Sequence, residues 1–347
     1  MEAREIIWRQ IPNCKNFKTP VTISEAVSEI GGDYVVEKQH LIKVNSDIFG
    51  KIANGENVTF TPSVNDIIKT HVATARTDTN DTLGIVGSGY GVVQNSKAFE
   101  FIDIITSGKI GGDKPVIETA GILDGGSRVY VVAKMPNDIL IDNDSIEDYI
   151  LFTNSHDGRY AVNIMFTPVR VICQNMLAAA FRESSNRMAF KHTQNVNMRL
   201  DWENQDNMKK AVSVLDMHKR FKDDFIQSLY SLNVPLENTK NGIVAFAANV
   251  FASPSAAKLI ALNNYQYDNI DEISTTAKNK MTRLINTIES GVGQEQYKGT
   301  KLWLFNGLTS FYANEEKIKD ATKYMDSLTD GSIYKKVDKG YQWLMAA

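Results

Sequence analysis

Apolar positions along the 347-residue chain change their period once. Up to about residue 167, short runs rich in Val, Ile, Tyr and Phe alternate with turns containing Gly, Asn and Asp, the pattern of strands. Beyond about residue 200 the apolar residues recur at helical spacing. Residues 90–95 read as the end of a strand, after which Ser96 caps a helix through Ala98, Phe99, Phe101, Ile102 and Ile105. A loop is expected over 108–115. Residues 116–123 and 128–135 then predict two strands joined by Asp124-Gly125-Gly126-Ser127, whose glycines supply the positive φ of a tight hairpin. A second hairpin pairs 149–154 with 160–166 around His156-Asp157-Gly158-Arg159.

Thr167-Pro168 reads as a helix start, threonine as the cap and proline at the first helical position. Val169, Ile172, Cys173, Met176 and Ala180 follow the spacing of one buried stripe, with Arg170, Gln174, Asn175 and Arg182 on the opposite arc. Further helices are expected over 208–232, 242–262, 273–288, 302–312 and 321–328, with breaks at Pro235, Gly291, Gly293 and Gly331. The expected fold class is α+β, an antiparallel sheet of hairpins covered by helices, followed by a mostly helical C-terminal region. The expected boundary divides residues 1–199 from 200–347.

Composition narrows the functional classes. No stretch reaches about 18 consecutive apolar residues, which excludes a membrane-spanning helix. The N-terminus has no secretory pattern, so the cytoplasm is the expected location. Cys14 and Cys173, far apart, make neither a disulfide framework nor a metal knuckle. No Walker phosphate loop is present, and Gly87-Ser88-Gly89-Tyr90-Gly91 ends in a strand instead of opening a helix. Ser155-His156-Asp157 holds three triad residue types, yet neighbours on an extended chain face alternate sides, so the expected role is a polar hairpin turn. The five histidines lack zinc spacing. Asp142, Asp144, Glu147 and Asp148 lack the glycine and glutamate of a calcium loop and read as a solvated acidic loop. No cofactor and no catalytic residue is expected, and an enzyme has no support in the residues.

The charge pattern supplies the positive signal. The chain carries a net −3, but residues 159–199 hold Arg159, Arg170, Arg182, Arg187, Lys191 and Arg199 against the single acid Glu183, a local +5. Aromatic residues and amides are interleaved there. Guanidinium groups grip phosphates, rings stack bases and amides bond base edges. The candidate nucleic-acid contacts are therefore Arg159, Arg170, Gln174, Asn175, Arg182, Arg187 and Lys191, with Tyr160 or Phe190 for stacking. The competing reading pairs these arginines with acids of the helical region and places the rings in the core.

Several blocks carry a family resemblance. Residues 89–95 (Gly-Tyr-Gly-Val-Val-Gln-Asn), Ala98-Phe99-Glu100-Phe101, Glu118-Thr119-Ala120-Gly121, Gly126 with Arg128-Val129, residues 153–158 (Thr-Asn-Ser-His-Asp-Gly) and residues 166–175 resemble the phage/plasmid-like protein family. It is a domain of unknown function family, number 932, found in phages, prophages and plasmids. The blocks span about residues 83–183, with weaker similarity at 303–312. The resemblance implies a mobile genetic element and no stated activity. The order of elements is also similar to that of phage single-strand annealing proteins, which bind DNA in a basic groove beside a sheet and form rings; this is analogy of fold.

Two functions from different classes are expected. The first is a single-stranded nucleic-acid-binding, annealing-like protein, with single-stranded nucleic acid and a second copy of the chain as candidate partners. The second is a non-enzymatic interaction or counter-defence protein that binds a host protein or a small anionic ligand, with Trp303, Phe305 and Tyr312 either offering its surface or packing between helices. A metal-dependent nuclease is a third class for which no ligand cluster is visible.

Overall fold

The computed structural model describes residues 5–106, 114–170, 175–176, 187–201, 205–316, 320, 323–324, 327 and 331–346. Its first elements are β1 (Cys14–Asn16), α1 (Ile23–Glu29), β2 (Val36–Ile42), α2 (Ser46–Ala53), β3 (Ile67–Arg76) and β4 (Thr82–Gly87). Thr22 and Glu25 close a capping box at the start of α1, satisfying amides that the helix itself leaves unpaired. Strands β2, β3 and β4 form a three-stranded antiparallel sheet.

Next come α3 (Asn95–Thr106), β5 (Val116–Leu123), β6 (Arg128–Lys134), β7 (Ile139–Ile141), β8 (Asp144–Glu147), β9 (Tyr149–Ser155), β10 (Val162–Phe166), β11 (Val169–Arg170), β12 (Asn175–Met176) and β13 (Arg187–Phe190). The central sheet is six-stranded and antiparallel, in the order β1-β5-β6-β9-β10-β13. Both expected hairpins are present: β5 pairs with β6 and β9 with β10. The first turns through Gly125 at φ 67° and Gly126 at φ 108°, backbone that side chains other than glycine rarely adopt. Phe99 and Ile102 of α3 are fully buried, and α3 packs on β9.

Three expectations are corrected here. The strand ends at Gly87, not in 90–95; residues 90–94 run without ladder bonds, and α3 begins at Asn95, which puts Ser96 inside its first turn. The segment after Thr167-Pro168 is not helical at its described positions: Val169 pairs with Met176 and Arg170 with Asn175 across an antiparallel ladder, while β11 also pairs with β8. Two residues read as one helical stripe, Val169 and Met176, are cross-strand partners. The β-branched Val169 finds ladder partners in Met176 and Glu147, and Thr167 gives its amide to Tyr149 O instead of starting a helix. The acidic loop is not solvated either. It is the β7–β8 hairpin, with Asp144 and Asp148 each 1% exposed.

The described elements that follow are helices: α4 (Val196–Arg199), α5 (Gln205–Leu232), α6 (Thr239–Phe251), α7 (Pro254–Leu262), α8 (Thr275–Ser290), α9 (Lys301–Ser310) and α10 (Ser332–Ala346). The single helix expected over 242–262 is two, because Ser253 caps a new helix with Pro254 in its first turn. The helix expected over 321–328 and the loop over 108–115 fall mostly outside the described residues. Helix α5 fastens this region to the central sheet: Phe166 of β10 stacks on Phe221 at 5.8 Å, and His218 Nε2 meets Asp148 Oδ2 at 2.7 Å in the interior. Trp303, Phe305 and Tyr312 are 2%, 0% and 5% exposed, so they pack between helices and offer no partner surface. Among the described residues no helix is long and apolar enough to cross a membrane.

Candidate functional site

A cleft of about 510 Å³ opens beside the central sheet, lined by Gly87, Gly89, Tyr90, His192, Thr193, Gln194 and Asn195. Two segments about a hundred residues apart make it. Tyr90 and His192 stack face to face, centroids 4.7 Å apart and planes inclined by 11°. Gly91 N donates to His192 O at 3.1 Å, and His192 Nδ1 lies 3.0 Å from Gly91 O. A carbonyl only accepts, so the Nδ1 of that imidazole carries the proton and Nε2 the lone pair. Gly91 is required by contact: a Cβ there would sit 2.2 Å from Thr193 O. Lys38 Nζ donates to Tyr90 O at 3.1 Å and Ser88 O at 3.4 Å, and Asn197 Nδ2 to Val92 O at 3.1 Å.

Behind the cleft lies a buried polar network. Asn95, Asn154 and His156 are 1%, 0% and 0% exposed. Asn95 Nδ2 donates to Gly32 O at 2.8 Å, which orients that amide, so its Oδ1 accepts from Asn154 Nδ2 at 2.9 Å and from His156 Nε2 at 3.0 Å. Asn154 Nδ2 also reaches Val93 O at 3.0 Å. The segment 89–95 is thereby tied to 153–158, and Tyr90 OH adds a bond to Ser155 O at 2.8 Å. Burial pushes the His156 imidazole down to about 3, with nearby His192 adding to it. Burial also lowers His192, against the opposing pull of the Gly91 carbonyl and the Asp157 carboxylate. Both rings are neutral at pH 7.

Ser155, His156 and Asp157 do not form a relay. Ser155 Oγ donates directly to Asp157 Oδ1 at 2.5 Å, while His156 is engaged with Asn95. The turn nevertheless differs from a solvated one, since Ser155 and His156 are buried. A second polar cluster joins Arg9, Glu118, Tyr149, Glu147 and Lys134: Arg9 Nε meets Glu118 Oε1 at 2.8 Å, Tyr149 OH meets Glu147 Oε2 at 2.8 Å, and Lys134 pairs with Glu147. Two acids face two cations there, an arrangement that fastens the N-terminal segment and the β7–β8 hairpin to the sheet. Among the described residues, no group of three or more His, Cys, Asp and Glu side chains is placed to hold a metal ion.

The sequence candidates divide. Arg159 is exposed at the bend after His156, its side chain 69% accessible and its Nε 3.7 Å from Asp157 Oδ2. Lys191 is exposed directly before His192, and its carbonyl accepts from Arg199 Nη2 at 2.6 Å. The Arg128 guanidinium lies over the Tyr160 ring, its Cζ 5.1 Å from the ring centroid. Phe190 is 7% exposed in the core, so burial removes it from the stacking candidates. Arg187 stands on the edge strand opposite Met165, and Arg170 opposite Asn175 and Ile146. The helical arc expected to gather Arg170, Gln174, Asn175 and Arg182 is not formed at 170 and 175, and Gln174 and Arg182 lie outside the described residues. Tyr90, Asn95, Asn154, His156 and His192 are not among the contacts that the sequence predicts. Their signal was present in the blocks 89–95 and 153–158, which the fold brings together.

No curated protein and no solved structure matches the chain. The model of the family described as a domain of unknown function, DUF932, matches residues 82–329, which include every residue lining the cleft and the buried His156 behind it, and the chain belongs to that family.

Proposed function

We propose that this chain is a non-enzymatic nucleic-acid-binding protein of a phage or another mobile element, acting in the cytoplasm of a bacterial host. It holds single-stranded nucleic acid along the cleft, in the manner of an annealing protein, and self-associates to do so. The observation that carries the reading is the cleft itself: a stacked Tyr90–His192 pair beside the Gln194 and Asn195 amides, with Lys38, Lys191 and Arg159 on the adjoining chain. Aromatic faces accept any base, and cations track the phosphates. Among the contacts expected from the sequence, the reading uses Arg159, Lys191 and Tyr160, with Arg170, Asn175 and Arg187 on strands β11, β12 and β13.

The test is fluorescence anisotropy of a labelled single-stranded oligonucleotide, with duplex and RNA controls, between about 50 and 200 mM salt. Affinity is expected to fall steeply with salt. Arg159→Ala combined with Lys191→Ala should reduce the log–log slope by about 1.4, since each neutralised phosphate contributes about 0.7 on a single strand. Tyr90→Leu should cost about 1–3 kcal/mol of binding through lost stacking. Absence of binding at low salt, or variants that bind like the wild type, would overturn the reading.

A second reading, an interaction protein that takes a host partner, is favoured by α2. That helix buries none of its residues, and Phe49 and Ile52 are 66% and 54% exposed, with Val64 72% exposed nearby in sequence. Phe49→Glu should abolish such a complex without altering oligonucleotide affinity.

A further inference from the structure

A cationic cluster in the helical region is used by none of the features described so far. Phe251, the last residue of α6, packs edge-on against Phe311 with centroids 5.7 Å apart. Two ammonium groups approach its ring from different helices: Lys280 of α8 at 5.9 Å from the centroid and Lys336 of α10 at 5.8 Å. Lys336 Nζ donates to Val250 O at 2.7 Å, one of the carbonyls at the negative end of α6. Lys339 follows at i+3 on α10, on the same side of the helix as Lys336. Arg283, three residues after Lys280, lies 5.0 Å from the Phe311 centroid.

Among the described residues, the acids nearby do not balance this group. Glu316 is shared, one oxygen 3.3 Å from Lys280 Nζ and the other 3.4 Å from Arg283 Nη1. Asp338, the acid on the same turn of α10, accepts from Gln342 Nε2 at 3.3 Å along its own helix. The Lys336 ammonium is held below the usual lysine range by burial and then by the charges of Lys339 and Lys280. Three lysines brought together from two helices repel one another unless an anion lies among them. Lysine is a compact point charge with rotatable donors, suited to the spread charge of a phosphate group.

We propose that Lys280, Lys336 and Lys339, beside the Phe251 ring, form a binding site for phosphate groups, either those of a nucleic-acid backbone or those of a free polyphosphate. The site is independent of the cleft, and its assignment does not rest on the nucleic-acid reading.

The test is isothermal titration calorimetry of the full chain with sodium tripolyphosphate at low salt, alongside anisotropy with the single-stranded oligonucleotide. The variants are Lys336→Gln with Lys339→Gln, the same double change to arginine, and Lys335→Gln, an exposed lysine on the same helix. Tripolyphosphate should bind the wild type, the glutamine pair should weaken it at least tenfold, the arginine pair should retain it, and Lys335→Gln should change it less than twofold. A reduced salt slope for the oligonucleotide in the glutamine pair assigns the phosphates to a strand; an effect confined to tripolyphosphate assigns them to a free ligand. Absence of tripolyphosphate binding to the wild type, or an equal loss in Lys335→Gln, overturns the site. Oligonucleotide binding by the wild type then judges the cleft separately. If the glutamine pair does not fold, as read from its thermal transition, Lys339→Gln alone replaces it and should weaken tripolyphosphate at least threefold; no change there also overturns the site.

Discussion

Replacing Gly91 by alanine probes the join between the two chain segments that make the cleft. A Cβ at this position would lie 2.2 Å from Thr193 O, 2.7 Å from Val196 Cγ1 and 3.0 Å from Thr193 C. Carbon–oxygen contacts settle at about 3.3–3.6 Å, so the chains must part by about 1 Å. The bonds from Gly91 N to His192 O, 3.1 Å, and from His192 Nδ1 to Gly91 O, 3.0 Å, would then stretch to about 4 Å, beyond hydrogen-bonding range. Two such bonds contribute about 1–3 kcal/mol together, and the disturbed Tyr90–His192 stack about 0.5–1.5 more. Against this, alanine restricts the unfolded chain and returns about 0.4–1 kcal/mol. A net destabilisation of about 0.5–4 kcal/mol is expected, read as a lower urea midpoint at unchanged slope. Gly89→Ala is the control, because its Cβ would meet only Gln194 Nε2, at an ordinary 3.8 Å. Equal effects at the two positions, or a Gly91→Ala midpoint within about 0.5 kcal/mol of the wild type, would refute the contact argument.

Two further outcomes are expected. His218→Ala leaves the Asp148 carboxylate, 1% exposed, without the imidazole 2.7 Å away and removes a ring 4.8 Å from Phe166; breaking a buried pair of this kind costs about 3–5 kcal/mol, and a loss under about 1 kcal/mol in urea unfolding would show that Asp148 has other support. Acid should destabilise the fold through His156: its folded-state value of about 3 lies below the ordinary 6.5, so the unfolded chain binds the proton first. Stability from this group is complete above pH 6.5 and is lost as pH falls toward 3, about 2 kcal/mol of it by pH 5. His192 acts in the same direction. Urea midpoints at pH 7 and pH 5 should differ less in His156→Gln than in the wild type, and parallel profiles would remove His156 as the cause.

The two hairpins and the helices beyond residue 205 were legible because their signals are local. Gly125-Gly126 demands a turn wherever it stands, and an apolar stripe such as Phe221, Phe225, Leu229 and Leu232 declares its buried face from spacing alone. The α+β class follows from these pieces without any contact between them. Thr167-Pro168-Val169 misled because a good capping pair counts only if the chain beyond it is free to coil. Here the neighbouring β8 offers Val169 and Arg170 ladder partners, and pairing overrides propensity.

The cleft shows the opposite limit. The sequence determined which residues are aromatic, basic or amide-bearing between 159 and 199, and it held both blocks, 89–95 and 153–158, whose meeting builds the buried network. Only the tertiary structure decided that Tyr90 stacks on His192, that Asn95 orients His156, and that Phe190 is core while Arg159 and Lys191 reach solvent. It also decided that Lys280 and Lys336 flank the same ring. The physical reason is range: periodicity and turn chemistry act over a few residues, whereas contact, burial and charge act through space between segments that the folded sheet and helices bring together.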